Sequence, residues 1–285
     1  MNIVDGELYL VTGGSGFLGE ELVQSILNQG GRVRAFSRNE GKLIELKQKH
    51  PRIEIATGDI SDPFEVRQAC LGVKGIFHLA ASKHVGLAEL YVRECTKTNI
   101  LGTMYLLEET LRNELDFILG ISTDKAAQVS GVYGASKLVM ERLFQQYERL
   151  NSKTKYRIVR YGNVLYSTGS VLCKWKDLLE QGKEVIVTEP SATRFFWTRS
   201  QAVGLIFSCL ESAADSSPWV PDMKSMEIGD LLEAMAQKYL PPDKELQVKY
   251  IGLQPGENLH EKILEEGPTS NDVPRFTVGE IKELI

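Results

Sequence analysis

Tyr133 and Lys137 stand four residues apart in the run S-T-D-K-A-A-Q-V-S-G-V-Y-G-A-S-K, residues 122–137. The apolar pattern from Tyr133 to Leu150 has a helical period, so both side chains share one helix face. A phenol beside an ammonium can act as a base near neutral pH, because the cation favours the phenolate. Lowering a tyrosine pKa from about 10 to about 7 takes roughly 4 kcal/mol of differential stabilisation. Just upstream, Thr123, Asp124 and Lys125 follow the apolar run Phe117–Ile121, which reads as a buried strand, and so sit at its mouth. Two plainer arrangements suit the same residues: a capped turn with an exposed Asp124–Lys125 ion pair, and a helical tyrosine packed under a lysine stem.

The elements that must hold these groups begin with Leu8–Thr12, a buried strand, and the glycine loop that follows it, Gly13-Gly14-Ser15-Gly16-Phe17-Leu18-Gly19. Helical spacing resumes through Leu22, Val23, Ile26 and Leu27 and stops at Gly30-Gly31. Glycines between a strand and a helix let backbone N–H groups approach a pyrophosphate at the helix N-terminus, where the dipole favours negative charge. The second strand, Arg32–Phe36, ends in Ser37-Arg38-Asn39. An acid there would suit the ribose of NAD; Ser37 and Arg38 instead point to the 2′-phosphate of NADP. After the third strand, Asp59 can hydrogen-bond adenine or serve a turn, with Ile60 beside it. Asp62-Pro63 has the form of a helix cap with proline at the first helical position.

Gly75–Ala81 reads as the fourth strand, its small Ala80 and Ala81 allowing a cofactor to pass closely. A long helix over Leu90–Leu111 carries Asn99. Alternating strands and helices predict a parallel sheet with right-handed crossovers, which binds ligands beyond the carboxyl ends of its strands. The glycine loop and the Tyr133–Lys137 pair are therefore expected to face one crevice. Beyond a sixth strand ending at Tyr161 the pattern is less regular: a helix near Val171–Leu179, a short strand at Val185–Val187, helices at Gln201–Leu210 and Ile228–Tyr239, and a strand tip at Val220. Phe195-Phe196-Trp197 reads as core. The division expected is a mainly cofactor-binding Rossmann part over 1–165 and a smaller mixed part over 166–285, with interleaving allowed.

With 285 residues and a net charge of -5 in which signs alternate, the chain can bury a large core and offers no basic patch for nucleic acid. Cys70, Cys95, Cys173 and Cys209 form no C-x-x-C pair, and His260 has no companion at metal-ligand spacing. A reduced, cytoplasmic protein without metal, export signal or membrane span is expected.

The residues Thr12–Gly19, Asp59, Asn99 and Tyr133-x-x-x-Lys137 together resemble the extended short-chain dehydrogenase/reductases. The blocks Ser122–Ala127, Val159-Arg160-Tyr161-Gly162-Asn163-Val164, Thr193-Arg194-Phe195-Phe196, Pro255-Gly256-Glu257 and Leu259-His260-Glu261, with H-x-A-A-x-K-H-V over 78–85, narrow the resemblance to nucleotide-sugar 4,6-dehydratases acting on UDP-N-acetylglucosamine. Tyr133, where some relatives have methionine, is similar to the soluble inverting enzymes. The resemblance implies an NADP-dependent lyase: Tyr133 with Lys137 and Thr123 oxidises C4, Lys125 takes the C5 proton, Asp124 protonates the leaving C6 hydroxyl, and hydride returns to C6 with C5 inverted. It implies cofactor contacts from Gly13, Ser15, Gly16, Phe17, Leu18, Gly19, Ser37, Arg38, Asp59, Ile60, Ala80, Ala81, Asn99, Tyr133 and Lys137, and UDP-sugar contacts from Lys83, Asn163, Arg194 and Glu257. Homo-oligomers are common in the group, and the Leu90–Leu111 and Tyr133–Leu150 helices are candidates for such a contact. Three departures stand out: Gln254 replaces an arginine before P-G-E, Asn258 replaces a lysine, and such relatives are expected to continue some tens of residues beyond Ile285. A 4-epimerase, a dehydratase releasing the 5,6-ene, and a non-catalytic NADP-binding regulator are the alternatives.

Overall fold

The computed structural model describes residues 2–254 and 256–285. Pro255, the first residue of the P-G-E block, lies outside them. Each apolar run of the first half becomes a strand: β1 (Leu8–Thr12), β2 (Arg32–Ser37), β3 (Glu54–Thr57), β4 (Gly75–His78), β5 (Phe117–Thr123) and β6 (Lys155–Tyr161). Helices α1 (Phe17–Asn28), α2 (Glu40–Lys49) and α3 (Pro63–Cys70) link the first four. Asp62 caps α3 by accepting the N–H groups of Phe64 and Glu65, with Pro63 at the first turn.

After a separate short helix, α4 (Val85–Leu90), the helix expected over Leu90–Leu111 runs from Val92 to Arg112 without interruption, as α5 (Val92–Thr96), a π-helical turn at Lys97–Leu101 and α6 (Gly102–Arg112). The wider turn has a tertiary cause. It presents the Asn99 amide to the chain after β4, where Oδ1 accepts the Ser82 N–H at 2.8 Å and Nδ2 donates to the Ser82 carbonyl at 3.0 Å. Strand β5 runs two residues further than the apolar run, so Thr123 is its last residue. The next turn, Asp124–Ala126, begins a link to α7 (Val132–Leu150).

The second half adds β7 (Asn163–Val164), α8 (Val171–Glu180), β8 (Val185–Val187), β9 (Thr193–Trp197), α9 (Arg199–Ser212), β10 (Pro218–Trp219), β11 (Ser225–Glu227), α10 (Ile228–Tyr239), β12 (Val248–Tyr250) and α11 (Val278–Leu284). The large sheet has the order β10-β6-β5-β4-β1-β2-β3, and every adjacent pair is parallel. The edge strand is two residues before the expected tip at Val220, which itself lies outside it. The order reverses direction between β1 and β4, the place where the strand ends splay to admit a ligand.

Alternate strand residues serve opposite layers. Val11, Phe77 and Leu119 pack with Leu22, Ile26, Leu43 and Ile206 beneath α1, α2 and α9. Leu10, Ile76 and Ile118 pack with Val66, Leu106, Met140 and Phe144 beneath α3, α6 and α7. A third core, from Leu172, Trp175, Val185, Phe196, Met226, Leu231 and Ile281, holds the smaller sheets β11-β9-β7 and β12-β8. Phe195 and Phe196 are buried, as core residues should be. Both α9 and β10 come from beyond residue 165 yet belong to the layers of the large sheet.

Candidate active site

A crevice of about 800 Å³ opens at the carboxyl ends of β1, β2, β4, β5 and β6 and is closed on its far side by residues of the smaller sheets. The glycine loop forms its floor. Gly13 has φ +69°, a conformation suited to glycine, and a Cβ there would meet the Ala80 backbone nitrogen at 3.0 Å. A Cβ on Gly19 would lie 2.2 Å from the Gly13 carbonyl oxygen, so the first turn of α1 can pack on the loop only as glycine. Gly16, at the α1 N-cap, brings no side-chain cap, and the loop's backbone faces the crevice.

Of the predicted cofactor residues, Gly13, Ser15, Gly16, Phe17, Leu18, Gly19, Ser37, Arg38, Ile60, Ala80, Ala81, Tyr133 and Lys137 line this crevice. Asn39 and Lys42 line it along with Arg38. Asp59 and Asn99 do not line it. Asp59 Oδ1 accepts both the N–H and the hydroxyl of Ser61, and its Oδ2 lies 3.7 Å from an Arg38 Nη. Burial raises the Asp59 carboxyl, but Ser61 and Arg38 outweigh it and hold the group below the usual carboxylate range. Asn99, tied to Ser82, also donates to Ser136 Oγ at 2.9 Å, and Ser136 in turn donates to the Tyr133 carbonyl. It supports the site from behind.

Thr123, Lys125, Tyr133 and Lys137 meet on one wall of the crevice. The tyrosine–lysine relationship differs from the sequence expectation. Lys137 Nζ donates to the Ile121 carbonyl at 2.7 Å and lies 3.5 Å from Met140 Sδ, and burial lowers its amine to about 8. Burial pushes the Tyr133 phenol up to about 12; the cation that draws it down is Lys125, helped by Thr123. Spacing put both side chains on one helix face, but it could not specify which acceptor the longer one reaches.

The Asp124–Lys125 pair is not an exposed ion pair: its carboxylate is buried and its lysine is half-buried at the crevice wall. Asp124 is 1 % exposed, and its Oδ1 accepts Thr123 Oγ1 at 2.9 Å and Lys125 Nζ at 3.1 Å. Its Oδ2 is buried with no hydrogen-bond partner among the described residues. Asp124 stands behind Thr123 and Lys125 rather than on the crevice surface. Burial alone would lower the Lys125 amine, but Asp124 and Glu261 together hold it well above the ordinary lysine range.

Lys83, Asn163, Arg194 and Glu257 line the same crevice. Lys83 is lowered by burial. Arg194 Nη1 is fixed by the carbonyls of Thr193 at 2.8 Å and Leu259 at 3.0 Å. Glu257 accepts the Gln254 N–H at 3.0 Å, and His260 Nδ1 pairs with Thr193 Oγ1 at 2.8 Å. Besides Asn39 and Lys42, sequence reasoning missed Glu261 and Tyr161. Glu261 is buried between Lys125 and Arg194, and Tyr161 lines the crevice with its hydroxyl buried and unpartnered among the described residues. Both stood inside motif blocks, which was the one available signal. Among the described residues no group of three His, Cys, Asp or Glu side chains is placed to hold a metal, and no helix is long and apolar enough to cross a membrane.

A parallel seven-stranded sheet, a glycine loop at its first turn and a Tyr-x-x-x-Lys helix facing it define a Rossmann protein of the short-chain dehydrogenase/reductase type. Within that class the chain belongs to the family of polysaccharide biosynthesis proteins, whose model matches residues 9–280. It is 35% identical over 274 residues to a Methanocaldococcus jannaschii protein described as an uncharacterized membrane protein, covering 93% of this chain and 82% of that one. It is 33% identical to a Campylobacter jejuni UDP-N-acetylglucosamine 4,6-dehydratase (inverting), over 90% of this chain and 76% of the relative. A Rickettsia canadensis UDP-glucose 4-epimerase is 31% identical over the same shares, 90% and 76%. Among solved structures, Pen from Bacillus thuringiensis superposes with a TM-score of 0.92 at 27% identity, covering 100% of this chain and 98% of that one.

Proposed function

We propose that the chain is an NADP-dependent nucleotide-sugar 4,6-dehydratase that converts UDP-N-acetylglucosamine into a UDP-2-acetamido-2,6-dideoxy-4-hexulose with C5 inverted. The observation that carries this reading is Lys125 on the crevice wall with Tyr133, with the buried Asp124 carboxyl bonded behind it. Oxidation at C4 alone has no use for a second acid and base.

The crevice fits a dinucleotide on the evidence of its backbone. Positions 13 and 19 leave no room for a Cβ, which keeps the loop's N–H groups within reach of a pyrophosphate. Gly13–Gly19, Ile60, Ala80, Ala81 and Lys137 would hold it, Asn99 and Asp59 would brace those contacts, and Ser37 and Arg38 would favour a 2′-phosphate. When bound, the nicotinamide supplies reversible hydride transfer with the sugar. Residues up to about 165 serve mainly this part, and those beyond it mainly the UDP-sugar, with Arg194, Lys83, Asn163 and Glu257 toward the diphosphate and sugar.

Tyr133 takes the C4 hydroxyl proton, and Thr123 hydrogen-bonds the C4 oxygen. The 4-ketone acidifies the C5 hydrogen. The resting pair is Lys125 ammonium and Asp124 carboxylate, so a proton first crosses the 3.1 Å from Nζ to Oδ1. The Lys125 amine then takes the C5 proton and the C5–H electrons form the C5–C6 double bond. The C6–O bond breaks as its oxygen takes the Asp124 proton and leaves as water, which restores the ammonium and carboxylate. The reading places the enzyme in the reducing cytoplasm, consistent with four unpaired cysteines, and working as an assembly of identical chains.

Incubation with UDP-N-acetylglucosamine and NADP in deuterium oxide tests this: NMR should show a 6-deoxy-4-keto product labelled at C5, with no net consumption of cofactor. A 4-epimer without C5 label would establish the second reading, a nucleotide-sugar 4-epimerase. One observation favours that reading: Asp124 does not reach the crevice surface. Free 5,6-ene would mark the releasing dehydratase. Full function by Tyr133→Phe would leave the non-catalytic regulator.

A further inference from the structure

Glu261 belongs to the loop that follows β12 and is 2 % exposed. Its Oε1 lies 3.5 Å from Lys125 Nζ and 3.7 Å from Arg194 Nε, so it faces two cations from two different elements. Its Oε2 accepts one hydrogen bond, from Asn258 Nδ2 at 3.2 Å. The backbone beneath is fixed: Ser270 Oγ accepts the Glu261 N–H at 2.9 Å and donates to the Thr193 carbonyl at 3.0 Å. A buried carboxylate is costly unless paired, and such pairs are weak sources of stability compared with apolar packing. Its place between a crevice amine and a crevice guanidinium calls for a different account.

We propose that Glu261 is a positioning residue, holding the Lys125 amine at the crevice wall and speeding the C5 proton step. The inference rests on the dehydratase reading. The charged and titratable groups that face Lys125 are Asp124 from its own turn, Tyr133 from α7, Arg194 from β9 and Glu261. Asp124 gives up its charge when it receives the Lys125 proton, so during elimination Glu261 is the carboxylate still ionised beside the amine. Its charge opposes the transfer of the Nζ proton to Asp124 as much as it favours the arrival of the C5 proton, so Glu261 acts by where it holds Nζ, 3.5 Å from Oε1, and not by making the amine a stronger base. Asn258 suits this role because it satisfies Oε2 without charge; a lysine there would set a third cation on the carboxylate. Arg194 has two backbone carbonyls of its own, so its orientation does not depend on Glu261.

The test compares wild type, Glu261→Gln, Glu261→Asp and Asn258→Lys in the full chain with cofactor. Calorimetry with UDP alone reads the fold and the Arg194 side without turnover. Deuterium uptake at C5 reads proton removal, and the absorbance of enzyme-bound reduced nicotinamide reads how long the ketone waits. Glu261→Gln should bind UDP as wild type does, lose roughly tenfold in C5 exchange, and accumulate reduced cofactor because C4 oxidation now outruns elimination. Glu261→Asp should recover most of the exchange, and Asn258→Lys should fall between. Wild-type exchange in Glu261→Gln overturns the proposal, as does joint loss of UDP binding and thermal stability in both Glu261 variants, which would make the carboxylate a fold element only. A wild type that binds UDP but never exchanges C5 overturns the dehydratase reading, and this inference with it.

Discussion

Arg160 and Glu141 form a fully buried bidentate ion pair, with Nε at 3.0 Å and Nη2 at 2.6 Å from the two carboxylate oxygens. The same carboxylate accepts Ser122 Oγ at 2.5 Å, and Arg160 Nη1 donates to the Ile263 carbonyl at 2.8 Å. The pair thus joins β5, β6, α7 and the loop that carries Glu261, behind the crevice wall of Thr123, Lys125 and Tyr133. Arg160→Leu would leave Glu141 buried without its cation and should cost about 3–5 kcal/mol. Arg160→Leu combined with Glu141→Leu should cost less than the two single changes summed, since no lone charge remains. Urea denaturation of the four proteins measures this, and strict additivity would show that the two residues are not coupled.

Arg38 has a side chain 67% exposed and its ion pair with Asp59 spans 3.7 Å, so it contributes little to folding. Arg38→Ala should leave the unfolding midpoint within about 0.5 kcal/mol of wild type. NADPH affinity should fall roughly tenfold or more, the worth of a charge-assisted hydrogen bond to phosphate, while NADH affinity stays constant. Fluorescence titration with the two cofactors decides it. Equal effects on both would remove Arg38 as the reader of the 2′-phosphate.

Lys137 supplies the pH dependence. Burial lowers its amine from the unfolded value of 10.5 to about 8. Between these values the unfolded chain binds a proton that the folded chain does not, so stability rises with pH across that window. Below about pH 8 both states are protonated and the burial cost is present in full. The gain is of order 3 kcal/mol at most. Tyr133, pushed up to about 12, works in the opposite sense only above pH 10, where the unfolded phenol ionises first. Melting temperature measured from pH 7 to 10 should therefore climb in wild type and stay flatter in Lys137→Met. Parallel curves would place the Lys137 amine in a wetter setting.

How much of this was legible beforehand depended on whether the cause was local. The first six strands were readable because each is a short apolar run with a glycine or polar break after it, and the glycine loop because a strand precedes it and a helix follows. The Asp62-Pro63 cap was readable for the same reason. The π turn around Asn99 was not, since it answers to Ser82 in the chain after β4. The two- and three-residue strands β7 and β11 were not read, because neither is an unbroken apolar run, whereas the wholly apolar Val185–Val187 of β8 was. The candidate site was half legible. Tyr133, Lys137, Asp124 and Lys125 were fixed by type and spacing, but the acceptor of Lys137 and the carboxylate facing Lys125 come from other elements.

Tyr161 offers the cleanest separation of folding from binding. The residue is 4 % exposed and lines the crevice, and its hydroxyl is buried without a hydrogen-bond partner among the described residues. Burial, and after it the neighbouring Tyr133, hold the phenol well above its usual range, so it stays a neutral donor at any working pH. An unpaired buried hydroxyl costs free energy in the ligand-free chain, and removing it breaks no bond. Tyr161→Phe should therefore melt at or above the wild-type temperature when free. If the bound sugar or cofactor supplies the missing acceptor, the stabilisation that ligand confers should shrink by about 1 kcal/mol in the variant. Thermal melts with and without UDP-sugar and cofactor separate the two effects. A free variant that melts lower would mean the hydroxyl already has a partner, and an unchanged ligand shift would mean that the ligand is not what it waits for.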